Sequence, residues 1–320
     1  MAVVINTNTD SLKVQNILSS ATNKLSHAMQ RMSTGLKVID AKDDAAGSVI
    51  AARMTAQLNG NKIAQNNVQN GTAMLATAEG HLDVVQDNLS RIRDLTLQAK
   101  NGTYSTAEIQ AMQDEVAERI AEIGRISDSS KYSSLQLFDD TKLGATGITF
   151  QVGANASSEN QIAANGDLFK SVDFYSLIKS TVTDDGGLTT DDIETIVGDY
   201  DIDVDLDDED TDIGKEISKV FDLTKLSAGF MTKALAALDK GIDNLTHRKS
   251  IIGSAQNRLA SALDTLTTQF ENLSSAKSII TDADIASEAS TYTQQSILQQ
   301  VSTSLLAQAN QAPSIALSLI

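Results

Sequence analysis

The chain has no cysteine and no tryptophan, and its 320 residues contain one proline, Pro313, where average usage of about 5% would give roughly sixteen. Without thiols, disulfides and thiolate metal sites are excluded. Proline is the strongest breaker of helices, so its absence before residue 313 permits very long ones. Aromatic residues are only 4%. No stretch approaches the roughly eighteen consecutive apolar residues of a spanning helix, so no membrane insertion is expected. The only early apolar run is Val3, Val4 and Ile5 and the first basic residue is Lys13, so the reading is that no cleavable secretory signal is present.

Positive charge is also scarce, with 25 Lys and Arg against 42 Asp and Glu and a net charge of −17. Phosphate binding needs clustered cations, so nucleic acid is excluded as a partner. The acidity is concentrated: residues 167–222 hold 18 acids and 4 bases. No G-x-S-x-G, P-loop or G-x-G-x-x-G occurs, and His27, His81 and His247 lie far apart. No enzyme, no cofactor and no metal site is expected.

What the chain does have is apolar periodicity. Val14, Leu18, Ala21, Leu25, Ala28 and Met32 step by 4 and 3, as do Leu75, Ala78, Leu82, Val85, Leu89, Ile92, Thr96 and Ala99. This spacing keeps one seam facing a partner helix. Traced back through Gly71 and Val68 to Ala64, the second stripe predicts 36 residues, about 54 Å of helix. A third stripe runs from Leu235 to Leu273, with Lys249 and Gln256 at two seam positions, and a fourth holds Leu298, Val301 and Leu305. A shorter helix is predicted from Thr106, as its cap, to about Ser127, with Ile109, Met112, Val116, Ile120 and Ile123 inward.

The middle alternates instead. Ile148, Phe150 and Val152 precede a Gly/Asn/Ser turn and a second short run, which predicts a β-hairpin. Tyr200, Ile202, Val204 and Leu206 alternate with aspartates, predicting a strand with one acidic face. Asp199–Asp212 resembles a calcium loop only superficially, since Val204 or Leu206 stands where the sharp turn needs Gly. The fold class is therefore mainly α with a smaller β part: an antiparallel coiled-coil rod made by both chain ends, a β-hairpin, and an α+β insert at one tip. Between the first two stripes, Asp40, Lys42, Asp43 and Asp44 interrupt the helical pattern just before "AAGSVIAARM". An Asp there can accept backbone N–H bonds from the restarting helix, so these charges read as a joint and not a metal site.

These blocks carry a family resemblance. "VINTN" with "SLKVQNILSS", "RMSTGLKVIDAKDDAAGSVIAARMTAQLNG", "NLSRIRDLTLQAKNGT", "FQVGAN", "GSAQNRLAS" and "ILQQVSTSLLAQANQAPSIALSLI" resemble bacterial flagellin, in family order. The stretch "ITDADIASEASTYTQQSILQQV" and the ending "SIALSLI" depart from the common pattern. The resemblance implies a secreted structural subunit that self-assembles, as a helical homopolymer, into the extracellular flagellar filament used for swimming motility. The hook–filament junction protein of the same superfamily is the alternative. A third reading makes the acidic insert a module that captures cations or glycans.

It implies three domains: residues 1–42 with 278–320 as the inner-tube coiled coil, 43–166 with 223–277 as the outer-tube domain, and 167–222 as the exposed variable domain. The implied polymerisation seam is Val14, Leu18, Leu25, Met32, Leu298, Val301 and Leu305, with Asp40, Lys42, Asp43 and Asp44 as the inter-domain connector. Implied partners are further copies, a flagellar type III export chaperone, the hook-junction proteins and the filament cap. A Toll-like innate receptor is implied at Arg91, Leu95 and Glu115, positions that subunit contacts would equally explain.

Overall fold

The computed structural model describes residues 8–179, 223 and 228–317. The acidic strand expected at Tyr200–Leu206, the Asp199–Asp212 loop and most of the expected insert lie outside these residues. The described elements run α1 (Thr9–Thr34), α2 (Ala45–Ala99), α3 (Thr106–Ser129), β1 (Lys131–Tyr132), β2 (Leu135–Gln136), α4 (Leu143–Thr146), β3 (Ile148–Gln151), β4 (Gln161–Ala164), α5 (Phe174–Lys179), α6 (Ala228–Thr281) and α7 (Ile285–Leu317). Short 3-10 turns cover Ser158–Asn160 and Gly166–Phe169. The fold is mainly helical with two small antiparallel strand pairs. Helix α2 is 55 residues long, not 36, because no proline or cap interrupts the segment between Ala45 and Ala64. The chain divides into two compact units, residues 1–61 with 268–320 and residues 62–267.

The second unit contains the core. The predicted stripe on α2, from Ala64 through Ala99, is buried at every position. It faces α6, which runs antiparallel: Lys249 Nζ meets Asp83 Oδ1 at 2.5 Å and Gln86 Oε1 at 3.0 Å, and Gln256 Nε2 donates to Glu79 Oε2 at 3.0 Å. The two polar seam positions thus take polar partners, so burial leaves no donor without an acceptor there. Arg248, one position earlier, goes deeper: it is buried and donates from Nη1 to the Lys170 carbonyl at 2.9 Å. Loss of hydration lowers the pKa of its guanidinium from the ordinary value, an effect opposed by Asp140, Asp167 and Asp173 nearby.

Helix α3 presents Val116, Ile120, Ile123 and Ile126 to the same core. Its cap is Ser105, one residue before the expected Thr106. The Ser105 hydroxyl accepts from Glu108 N at 3.4 Å, and the Glu108 carboxylate accepts from Ser105 N at 2.7 Å, a reciprocal box. The predicted hairpin is β3–β4, paired Ile148↔Ala164 to Gln151↔Gln161. Its Phe150 lies on Gly71 of α2, where a Cβ would sit 2.7 Å from the Phe150 ring, so the hairpin requires a glycine at that point of the helix. Leu168, Phe169, Val172, Phe174 and Leu177 are buried in this core as well. The expected start of the exposed insert, residue 167, therefore falls inside a segment that contributes these five side chains to the core.

Candidate functional site

The first unit is built differently. Helix α1 starts at Asn8, whose Oδ1 accepts from Ser11 N at 3.0 Å, and ends at Gly35, left-handed at φ 71°, whose N–H reaches the Arg31 carbonyl at 2.8 Å. Helix α7 packs antiparallel on it. Asn8 Nδ2 donates to the Ala309 carbonyl at 2.7 Å, Gln299 Nε2 to Thr22 Oγ1 at 3.3 Å, and Arg31 Nη1 pairs with Glu288 Oε1 at 3.2 Å. The buried side chains between these helices are small or polar: Ala21 and Ala28 on α1, Gln295 and Ser302 on α7.

Of the expected seam, Val14, Leu18, Leu25 and Met32 are half-covered. Leu298, Val301 and Leu305 keep 39%, 48% and 47% of their surface exposed. The pattern holds across the unit. Thirteen of the sixteen exposed large apolar side chains of the described residues lie in it, the other three being Ile63, Val84 and Leu97. Among the described residues, only Ala21, Ala28, Ala51 and Leu58 are apolar side chains buried there. A unit with so little apolar burial gains little stability alone.

The joint of residues 35–44 is held by backbone and carboxylates. Lys37 N donates to the Thr281 carbonyl at 2.7 Å and Ala283 N to the Gly35 carbonyl at 2.9 Å, an antiparallel clasp around Leu36 and Asp282. The roles of the four charges separate. Asp44 Oδ1 accepts from Gly47 N at 2.9 Å and caps α2. Asp43 Oδ2 instead closes the preceding turn, accepting from Asp40 N and Ile39 N, both at 3.3 Å. The Asp40 N–H bond, more than any other contact, holds the Asp43 carboxyl below its usual pKa, against an opposing effect of lost hydration. Lys42 pairs with Asp40 at 3.2 Å in solvent.

Sequence reasoning missed the other strand of the joint. Asp284 Oδ1 accepts from Ala286 N at 3.0 Å and caps α7, while Ser278 and Thr281 donate to Asp282 at 2.6 and 2.8 Å. The hydroxyl bond from Ser278 leads those that lower the Asp282 pKa. The T-D-A-D run was the available signal. Among the described residues, no group of three or more His, Asp or Glu could hold a metal ion, and no helix is long and apolar enough to cross a membrane.

In the second unit, Arg91 and Glu115 form a two-pronged pair, Nε to Oε1 at 2.8 Å and Nη2 to Oε2 at 3.1 Å, at the surface. Arg119 joins the same carboxylate at 3.1 Å. The Arg91 bond, above all, keeps the Glu115 pKa below its ordinary value. Leu95 corrects the expectation: at 2% exposure it is part of the α2 seam, three residues past Ile92, and presents no surface to a receptor.

Residues 5–143 match the bacterial flagellin N-terminal helical region, and residues 235–320 match the bacterial flagellin C-terminal helical region. The chain belongs to the bacterial flagellin family. A flagellin of Serratia marcescens is 37% identical over 361 residues, and polar flagellin F of Vibrio parahaemolyticus is 31% identical over 380, each with the whole of both chains covered. A structure assigned as a flagellar hook-associated protein of Vibrio parahaemolyticus superposes with a TM-score of 0.54 at 16% identity, covering 74% of this chain and 99% of that one. At that identity the likeness speaks for the fold alone. Flagellins are structural proteins of the flagellar filament, and the full-length relatives favour this over the junction-protein alternative.

Proposed function

We propose that this flagellin assembles by coupled folding and polymerisation, with α1 and α7 as the self-associating part. The observation that carries it is the uncovered apolar surface of the first unit beside the filled core of the second. Incoming copies would bury Leu298, Val301, Leu305 and their neighbours, and that burial supplies the free energy to order the terminal helices. Free monomers then resist premature polymerisation, because one chain cannot cover its own stripe. On this reading residues 1–42 with 278–320 line the inside of the filament.

The same exposed α7 offers an export chaperone an apolar helix face in the cytoplasm, and the hook-junction proteins and filament cap would engage the terminal helices at the two filament ends. The assembled product is extracellular. Receptor recognition, if read at this surface, rests on Arg91 and Glu115 without Leu95.

Electron microscopy and circular dichroism of purified chain, seeded with filament fragments, test the proposal. Long filaments with a gain in helix are expected, and deletion of residues 1–30 is expected to leave a folded chain that never elongates. Elongation by that deletion would refute the assignment.

A further inference from the structure

We propose that the Arg31–Glu288 ion pair, together with the backbone clasp beside it, sets the register of α1 against α7, so that filaments grow only from chains aligned in this one way. The inference rests on the polymerisation reading above and adds the residues that fix its geometry. Packing alone specifies this register poorly. The buried positions repeat at seven residues on both helices, Ala21 and Ala28 on one, Gln295 and Ser302 on the other. A slide by one heptad therefore replaces small or polar side chains with others of the same kind, and little apolar burial distinguishes the two alignments. Other cross-helix side-chain bonds use hydroxyls and amides, Asn8 with the Ala309 carbonyl, Thr22 with Gln299 and Ser11 with Asn310, in segments rich in Ser, Thr, Gln and Asn, which supply substitutes after a slide.

Arg31 and Glu288 have no such substitute. Theirs is the one ion pair joining α1 and α7 among the described residues, and both side chains are largely covered, with 29% and 16% exposed. A slide that carries Arg31 one heptad along α7 sets it opposite Gln295, leaving a guanidinium and a carboxylate covered and unmatched. The opposite slide sets Glu288 by Lys24, and a slide in either direction also parts the backbone bonds of Gly35 with Ala283 and of Lys37 with Thr281, so the pair and this clasp hold the register together. Arg31 Nε is buried with no protein acceptor, so the pair is an expensive way to add stability. Covered polar groups that contribute little net stability are suited to specifying alignment, because the misaligned state is penalised by an unpaired charge.

The absence of cysteine makes the alignment measurable. In filaments grown from seeds, a short bifunctional thiol reagent is expected to join Thr22→Cys to Gln299→Cys, the observed register, and not Thr22→Cys to Leu306→Cys, the register one heptad away. Arg31→Glu and Glu288→Arg are each expected to slow elongation by roughly tenfold, the scale of coupling between paired charges, and to raise the Leu306→Cys product. Combining the two substitutions is expected to restore both elongation and the Gln299→Cys product. Unchanged thermal unfolding of the second unit shows that the variants fold. Single variants that elongate normally with the observed register overturn the inference, as does a double variant no better than the worse single one. Failure of the parent chain to elongate from seeds would instead refute the polymerisation reading itself.

Discussion

At single residues, the structure shows where an ordinary helix position has been given up for a contact. Gly71 lies inside α2, where alanine would favour the helix by about 1 kcal/mol. Its Cβ, however, would stand 2.7 and 2.9 Å from two carbons of the Phe150 ring, and that ring is buried and has no free end to swing aside. Overpacking of this kind costs about 1–3 kcal/mol, so Gly71→Ala is expected to lower stability in denaturant titration. Gly80→Ala, in the same helix with nothing within 4 Å of its Cβ, is expected to raise stability by roughly 0.5–1 kcal/mol. Equal effects at the two sites would mean that the hairpin does not dock on Gly71.

Asp43 makes a second prediction at this scale. Its folded pKa lies below the unfolded one, chiefly through the Asp40 N–H bond, so its contribution is complete above the ordinary Asp pKa of about 3.9. It is lost as pH falls through the lower folded value. Hydrogen exchange at residues 35–44 is therefore expected to quicken in acid below that range, and Asp43→Asn is expected to be fast already at neutral pH, with less further change on acidification. An acid response identical in both proteins would assign the opening to other carboxylates, such as Asp282.

For whole elements, legibility followed the completeness of the pattern. The α2 and α6 seams could be read because a stripe buried on one side repeats at 3 and 4, and even their polar positions, Lys249 and Gln256, found partners on the facing helix. The first nineteen residues of α2 could not, since Val49, Ile50 and Ile63 are exposed and give no one-sided pattern within a single chain. The same cause hid the covered side of α7, where Gln295 and Ser302 are buried while Leu298, Val301 and Leu305 stay partly exposed. Burial of Arg248 instead of Lys249 depends on the carbonyl of Lys170, distant in sequence, and no local signal announces it. The α3 start shifted by one because Ser105 and Thr106 are both competent caps and only the Glu108 geometry chooses between them. Ser105→Ala is accordingly expected to cost about 1 kcal/mol in equilibrium unfolding, and Thr106→Ala close to nothing.

Across the whole molecule, the two units differ in how fully their apolar surface is covered. The second has its apolar seams filled, whereas the first leaves Leu298, Val301 and Leu305 partly exposed. Replacing these three by serine changes side chains that are already partly exposed, and surface changes usually fall within about 0.5 kcal/mol, so thermal unfolding of the monomer is expected to shift little. Seeded elongation is a different matter, because each added subunit would lose three apolar side chains of burial, at about 1.5–3 kcal/mol for each fully covered residue. The expected outcome is a chain with the parent's unfolding curve that stops growing on seeds. If such a chain elongates at the parent rate, the exposed stripe of α7 is not what copies bury, and the driving force must come from the half-covered side of α1. If it unfolds early, the stripe supports the monomer itself, and the separation of folding from assembly fails.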